Sequence, residues 1–317
     1  MNQEFTKYYS PIEFSKISDI VLINQPFNLD TNIDCLKNKS NIIIFCKHCG
    51  VVWKYIVDAY LPHIQVPFII ISACHDNSFP SITTGEPNDR REQTISEYVN
   101  IDLITSHKYF KHLFVINKNI PDNDNYTSIP YGLDYTALQY NSCYGEIGPQ
   151  TSLEQDHLLC DVVNSLSSIE MRIPKIYANF HLNLTDTRHG GWRSKLFSIL
   201  SQDLVYWENS KKTRSECWKE MGKYAFVLSP HGNGLDCVRT FEALCLGCIV
   251  ILKTSCLDHL YEDLPVLIVN SYYDINEELL QNALKEFPLK KYNYDKLYTK
   301  YWIDKVYKIF QIKTPPL

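Results

Sequence analysis

The chain has 317 residues, 45% of them apolar and 21% charged, with a formal net charge of −5. That length admits two domains, and that composition describes a chain able to bury real cores. An acidic balance excludes a protein that holds nucleic acid by neutralising a run of backbone phosphates, although a single nucleotide needs only one or two well-placed cations. In chain order, Ile- and Val-rich runs at 19–24, 41–46, 67–72, 101–105 and 112–117 read as strands of the first half. Runs at 174–180, 203–207, 223–229, 247–253 and 265–270 read as strands of the second. They are continuous rather than alternating, the pattern of parallel strands covered on both faces. Helical periodicity fills the gaps at 192–201, 211–221, 236–246 and 276–287, the last opened by Asn276 as N-cap with acids behind it. Strand–helix alternation on this scale predicts an α/β protein of two Rossmann-like domains with parallel sheets. The rhythm breaks between about 139 and 172, where NSCYGEIGPQTS precedes a helix-like LEQDHLLCDVVNSL. The expected domains are therefore 1–150 and 151–290, with 291–317 as a terminal helix returning to the first domain.

The 11 cysteines are odd in number. Cys46, Cys74, Cys245 and Cys248 sit in apolar runs, where a thiol behaves as a small hydrophobe. This fits a reducing, cytoplasmic setting. MNQEFTKYYSPIEF has no apolar leader core, and no apolar run approaches membrane-spanning length, so no membrane anchor is expected. CKHC (46–49) and CLGC (245–248) are far apart and read as packing cysteines rather than a zinc site; no metal ligands are expected. KKTR (211–214) reads as a solvated helix start, and the tyrosines and tryptophan of 292–302 as core at helical spacing.

Ligands of open α/β sheets bind beyond the carboxyl ends of the strands, which directs attention to SPHGNGLDCVRTFEALCLGCIVIL (229–252). His231, Gly232, Asn233 and Gly234 form a turn between a strand and a helix. The glycines permit positive φ and close backbone approach to a ligand. Asp236 is the expected N-cap, and a helix N-terminus presents unpaired N–H groups and about half a positive charge to an anion. Arg239 and Glu242, three apart, share a face. Arg239 can fork onto phosphate oxygens, while Glu242, one turn further, suits two ribose hydroxyls. Together they read as a holder for a nucleoside diphosphate. A tight turn with a surface Arg–Glu pair is the plainer alternative.

The same string resembles the signature of exostosin-like glycosyltransferases, in which a strand ending in Ser-Pro meets a glycine-bearing loop, an Arg-x-x-Glu-Ala-Leu helix and a Gly-x-Ile-x-Ile strand. IPYGLDYTAL (129–138), KIYANFHLNLTDTR (175–188) and LDHLYEDLPVLIV (257–269) resemble further stretches of that family. The likeness runs from about 69 to 287; Val238 stands where relatives often carry His. It implies a GT-B type fold of two domains facing across a cleft, with the nucleotide in the second. It also implies inverting, metal-independent transfer of a sugar from a nucleoside diphosphate sugar, UDP-sugar being the expected donor, to a hydroxyl of a glycan acceptor. Arg188, with Arg193 as its rival, would be a second cation for the diphosphate.

Inversion needs a general base, and a metal-free leaving diphosphate needs positive charge. SACHDNSFP (72–80) follows a strand of the first domain. Asp76 there stands where the family shows an acidic residue, with His75 as its substitute; an Asx turn is the structural alternative for Asp76. Asp134 has an evident backbone task in its Gly-Leu-Asp turn. Two further readings remain: a GT-B type sugar-nucleotide epimerase, and a nucleotide- or glycan-binding protein without catalysis. Neither the sugar, the acceptor nor the oligomeric state is legible.

Overall fold

The computed structural model describes residues 4–23, 36, 38–47, 50–74, 76, 79, 101–182 and 191–311. The chain is α/β, with two parallel five-stranded sheets, the class read from its apolar runs. It divides into two compact units. One comprises the described residues of Met1–Glu4, Pro11–Tyr131 and Lys300–Leu317, the other Phe5–Ser10 and Gly132–Thr299.

The first sheet contains β1 (Ile20–Leu22), β2 (Ile42–Lys47), β3 (Phe68–Ala73), β4 (Phe110–Val115) and β5 (Tyr126–Ser128), side by side in chain order. Its centre is apolar on both faces. Ile44 pairs with Ile70 and Ile70 with Leu113, and all six residues of β3 are buried. Each such Ile or Phe stabilises the fold by roughly 1.5–3 kcal/mol through burial. The expected strand at 101–105 is instead a single helical turn, Asp102–Thr105, with Ile104 buried and Leu103 exposed.

The second sheet contains β6 (Ile173–Ala178), β7 (Val205–Trp207), β8 (Tyr224–Leu228), β9 (Ile249–Lys253) and β10 (Val266–Val269), in the order β10-β9-β8-β6-β7. The chain steps outward from β6 to β7, returns past β6 to β8 and continues the other way. Right-handed crossovers place connections of opposite direction on opposite faces. Accordingly Leu196 and Leu200, from the connection of β6 to β7, pack with Ile176, Ala178, Phe226 and Leu228. The helices Arg214–Met221 and Val238–Cys245 add nothing to that cluster and pack against each other. Gly247, at φ +71°, ends the second of these helices in the left-handed conformation that glycine tolerates and leads directly into β9.

Three α-helix starts carry side-chain caps, Asn276 among them as expected. Thr151 with Glu154 and Thr213 with Glu216 form capping boxes, and the Asn276 side chain accepts from the Leu279 amide at 2.9 Å. Residues 132–150 fall in the second unit and are tied to it. Arg214 donates to the Asp134 carbonyl, and Glu146 accepts from Ser215. The helix Ser152–Ser165 also draws in the start of the chain: the Asp156 carboxylate accepts from the Lys7 and Tyr8 amides at 2.7 and 3.1 Å.

Candidate functional site

Strand order reverses between β6 and β8, and it is at the carboxyl ends of such a pair that doubly wound sheets hold ligands in a crevice. β8 is buried throughout because β6 and β9 flank it. It delivers Ser229, whose hydroxyl shares a 2.9 Å hydrogen bond with that of Thr240 and so ties the strand end to the following helix. Between them the turn 231–236 is anchored by Asp236, buried and accepting from the Tyr261 hydroxyl at 2.6 Å. Burial, followed by the Asp236 charge, pushes that phenol well above its usual pKa. Asp236 is not the N-cap. Cys237 holds that position, its side chain caps nothing, and the Asp236 carboxylate accepts from the adjacent Cys237 amide at 2.7 Å.

The two glycines of the turn do not have positive φ, contrary to the expectation from sequence. At Gly232 the requirement is space: a Cβ would stand 2.6 Å from Arg193 Nη2. Arg193, the first residue of its helix and only 6% exposed, donates from Nε to the His231 carbonyl at 2.8 Å and from Nη2 to the Pro230 carbonyl at 2.9 Å. The Gly232 amide donates to the Gly234 carbonyl at 3.0 Å, closing the turn beside the partly buried Asn233.

Arg239 approaches from the helix on the other face. Its Nε donates to Asn179 Oδ1 at 2.6 Å, directly after β6. Both guanidinium carbons lie over the Phe180 ring, Arg193 at 5.6 Å and Arg239 at 5.5 Å. Two cations thus meet at one aromatic ring. Among the described residues neither forms a salt bridge, and the Nη1 of each donates to nothing. Burial, then the Arg193 charge, lowers the pKa of Arg239, while Glu242 acts in the opposite direction. An arginine remains charged under such a shift. The site therefore carries positive charge that wants an anion.

Glu242 has a partner that sequence reasoning missed. Its Oε1 accepts from Nε of Arg214 at 3.0 Å. Arg214 is 5% exposed, which corrects the reading of KKTR as a solvated helix start. The helix does begin there, capped by Thr213, but the arginine turns inward among Tyr135, Tyr144 and Trp218, each ring within 6 Å of its guanidinium carbon. Burial opposes its charge, and the Glu242 and Asp134 carboxylates outweigh that and raise its pKa. Asp134 accepts from the Ala137 amide and the Tyr144 hydroxyl, the structural task expected of it.

Asn179 and Phe180 were also missed as site residues. Their signal was position, immediately after the strand at which the sheet order reverses. Asp76 lies just past β3 in the first unit, partly buried. His75 and Arg188 lie outside the described residues, as do His48 and Cys49 of CKHC. Cys245 and Cys248 are buried free thiols, with burial raising Cys248 to about 11. Among the described residues no three His, Cys, Asp or Glu side chains stand at a metal-holding spacing, and no helix is long and apolar enough to cross a membrane.

No family model matches the chain, and no curated protein matches it in sequence. Among solved structures it is similar to an α1,3-fucosyltransferase with GDP-fucose, at 15% identity over 99% of this chain and 95% of that one, with a TM-score of 0.40. It is similar also to a UDP-forming α,α-trehalose-phosphate synthase from Burkholderia xenovorans, at 8% identity over 89% and 73%, TM-score 0.37. A third is WaaG, a glycosyltransferase of lipopolysaccharide biosynthesis, at 11% identity over 85% and 92%, TM-score 0.37. Likeness at this level assigns no activity, so the residues of the crevice have to carry that assignment.

Proposed function

We propose that the chain is a glycosyltransferase that takes a nucleoside diphosphate sugar, UDP-sugar by preference, and passes the sugar to a hydroxyl of a glycan acceptor. The observation that carries this is the pair Arg193 and Arg239: two guanidinium groups over one ring, without a carboxylate partner among the described residues, at the switch point of the second sheet. A diphosphate supplies the missing charge, and the uncapped start of the helix Val238–Cys245 supplies further N–H groups. Glu242, one turn along, receives the ribose hydroxyls. The resemblance of 229–252 to exostosin-like glycosyltransferases supports the same reading and its finer parts, inversion and independence of metal.

In that reaction a base removes the acceptor proton. The acceptor oxygen then attacks the anomeric carbon from the face opposite the diphosphate, and the bond from that carbon to the phosphate oxygen breaks with its electrons. Arg193, Arg239 and the helix dipole stabilise the departing charge without reorganising. We assign the base to Asp76, with His75 as its substitute, and the location to the cytoplasm.

Thermal melting of the full chain with UDP-, GDP- and ADP-sugars tests the reading. A donor at 100 times its Kd adds about 2.7 kcal/mol of stability, and Arg239→Ala should remove most of that shift. Stabilisation by GDP-sugars alone would replace uridine in the proposal. No shift with any nucleotide sugar would end it, and a shift without transfer to any acceptor would leave only a binding protein.

A further inference from the structure

The crevice explains Arg193 and Arg239, but it leaves a third arginine unaccounted for. Arg214 is sealed inside the second unit, where charge is costly. Its Nη1 donates to the Asp134 carbonyl at 2.6 Å and to Gln155 Oε1 at 3.2 Å, and its Nε to Glu242 Oε1 at 3.0 Å. Its Nη2 is buried and donates to no described residue. Nη2 lies on the same edge of the guanidinium fork as Nε, the edge that meets a carboxylate side-on. A second donor is thus held in reserve on the Glu242 side, at the expense of an unmade buried hydrogen bond.

The enclosure is held firmly. Tyr144 packs its ring 5.0 Å from the guanidinium carbon, with a backbone φ of +53°, a conformation unfavourable for an aromatic residue, and its hydroxyl donates to Asp134 at 2.7 Å. The Glu146 carboxylate latches the same loop to the Ser215 amide and hydroxyl at 2.9 and 2.7 Å. A methionine would fill such an aromatic box without a charge or an orphaned donor. What the arginine adds is a fixed direction for Glu242. Its Oε1 is taken, and no hydrogen bond from a described residue reaches Oε2.

We infer that Arg214 is a positioning residue: it fixes the Glu242 carboxylate for two adjacent pentose hydroxyls and so sets a preference for ribonucleotides over 2′-deoxyribonucleotides. This rests on the reading of Glu242 as the ribose ligand. Calorimetric titration of the full chain with UDP, 2′-deoxy-UDP and inorganic pyrophosphate tests it, in the unmodified protein and in Arg214→Lys, Arg214→Met, Glu242→Gln and the Arg214→Met/Glu242→Gln pair. The unmodified chain should prefer UDP over 2′-deoxy-UDP by about tenfold or more, the worth of a hydrogen bond to a charged group. Both Arg214 variants should lose that preference while binding pyrophosphate as before, and the double variant should be no weaker for UDP than Glu242→Gln alone. Arg214→Lys carries the test if Arg214→Met does not fold. Equal weakening of all three ligands, or a retained preference, would overturn the role of Arg214 and leave the diphosphate site standing. An unmodified chain that binds UDP and pyrophosphate but does not discriminate against 2′-deoxy-UDP removes the ribose role of Glu242, and Arg214 with it. One that binds neither removes the nucleotide reading altogether.

Discussion

Both sheets have five parallel strands with buried apolar centres, and they differ in one topological step. The first runs β1 to β5 in chain order; the second turns back between β6 and β8. Where order reverses, neighbouring strands send their connections to opposite faces, and the backbone parts above them. In the second unit that gap is where Arg193 arrives from one face and Arg239 from the other, each fastened by groups that follow β6 or β8. Among its described strands the first sheet has no such step. What it offers at a strand end is Asp76 after β3. In the proposed reaction the leaving-group charge is assigned to the unit whose sheet reverses, and the base to the unit whose sheet does not.

The sharpest way to break that contrast is Asp76→Asn. If Asp76 is the general base, transfer should slow roughly 10²–10⁴-fold while UDP affinity stays unchanged, since Arg193 and Arg239, the proposed diphosphate ligands, both belong to the second unit. Initial rates with radiolabelled donor, alongside UDP titration, give both quantities. A full transfer rate would return Asp76 to its Asx-turn role. Arg239→Ala comes next. Losing a guanidinium that forks onto phosphate removes charge-assisted hydrogen bonds of about 1.5–3 kcal/mol each. UDP affinity should therefore fall by roughly 100-fold, with little change in the melting temperature of the unliganded chain, because no carboxylate among the described residues is paired with Arg239. Unchanged UDP affinity would move the donor site away from the switch point.

These expectations rest on features unequally visible in the sequence. The long strands were legible because a parallel strand covered on both faces is buried at every position and so almost wholly apolar, as FIIISA and YAFVL are. IDLIT shares that look over five residues, too few for a period of two to be told from one of 3.6, and the buried Ile104 beside the exposed Leu103 belongs to a helical turn. β5 escaped notice because YTS has nothing apolar beyond its ring; pairing with β4 and the Asp122 side chain hold it. The helix with Arg239 and Glu242 was legible from local order alone. Arg214 was not, because the rings that bury it come from positions 135, 144 and 218, and only the folded chain makes them neighbours. Gly232 was read for its φ, whereas its requirement comes from a side chain 39 positions earlier in the sequence.

Gly232→Ala tests that last distinction. The added methyl would meet Arg193 Nη2 at 2.6 Å. The end of a free arginine would swing away at little cost, but this one is bound to two carbonyls. Giving up one of those bonds costs about 1 kcal/mol in stability. Displacing the cation should weaken pyrophosphate binding by about tenfold, which a stability change alone would not do. Binding at full strength would show that Arg193 reaches the anion from elsewhere.

The smallest effect belongs to the first unit. His112, buried on β4, shares hydrogen bonds with the Asp124 carbonyl at 2.9 Å and Thr127 Oγ1 at 2.8 Å. Burial lowers its pKa below the usual 6.5, against the pull of the Asp124 carbonyl and the Asp122 and Asp124 charges. The unfolded chain therefore takes up this proton before the folded one. The stability that His112 contributes is complete above about pH 6.5 and is lost as pH falls through that value toward the lower folded pKa. Between pH 7.5 and 5.5 the β4 amides should lose protection against hydrogen exchange, after correction for intrinsic rates, while those of β8 hold theirs. In His112→Gln, which keeps a polar group without the titration, the two sheets should respond alike; a β4 loss that persists in the variant would place the acid sensitivity of the first unit elsewhere.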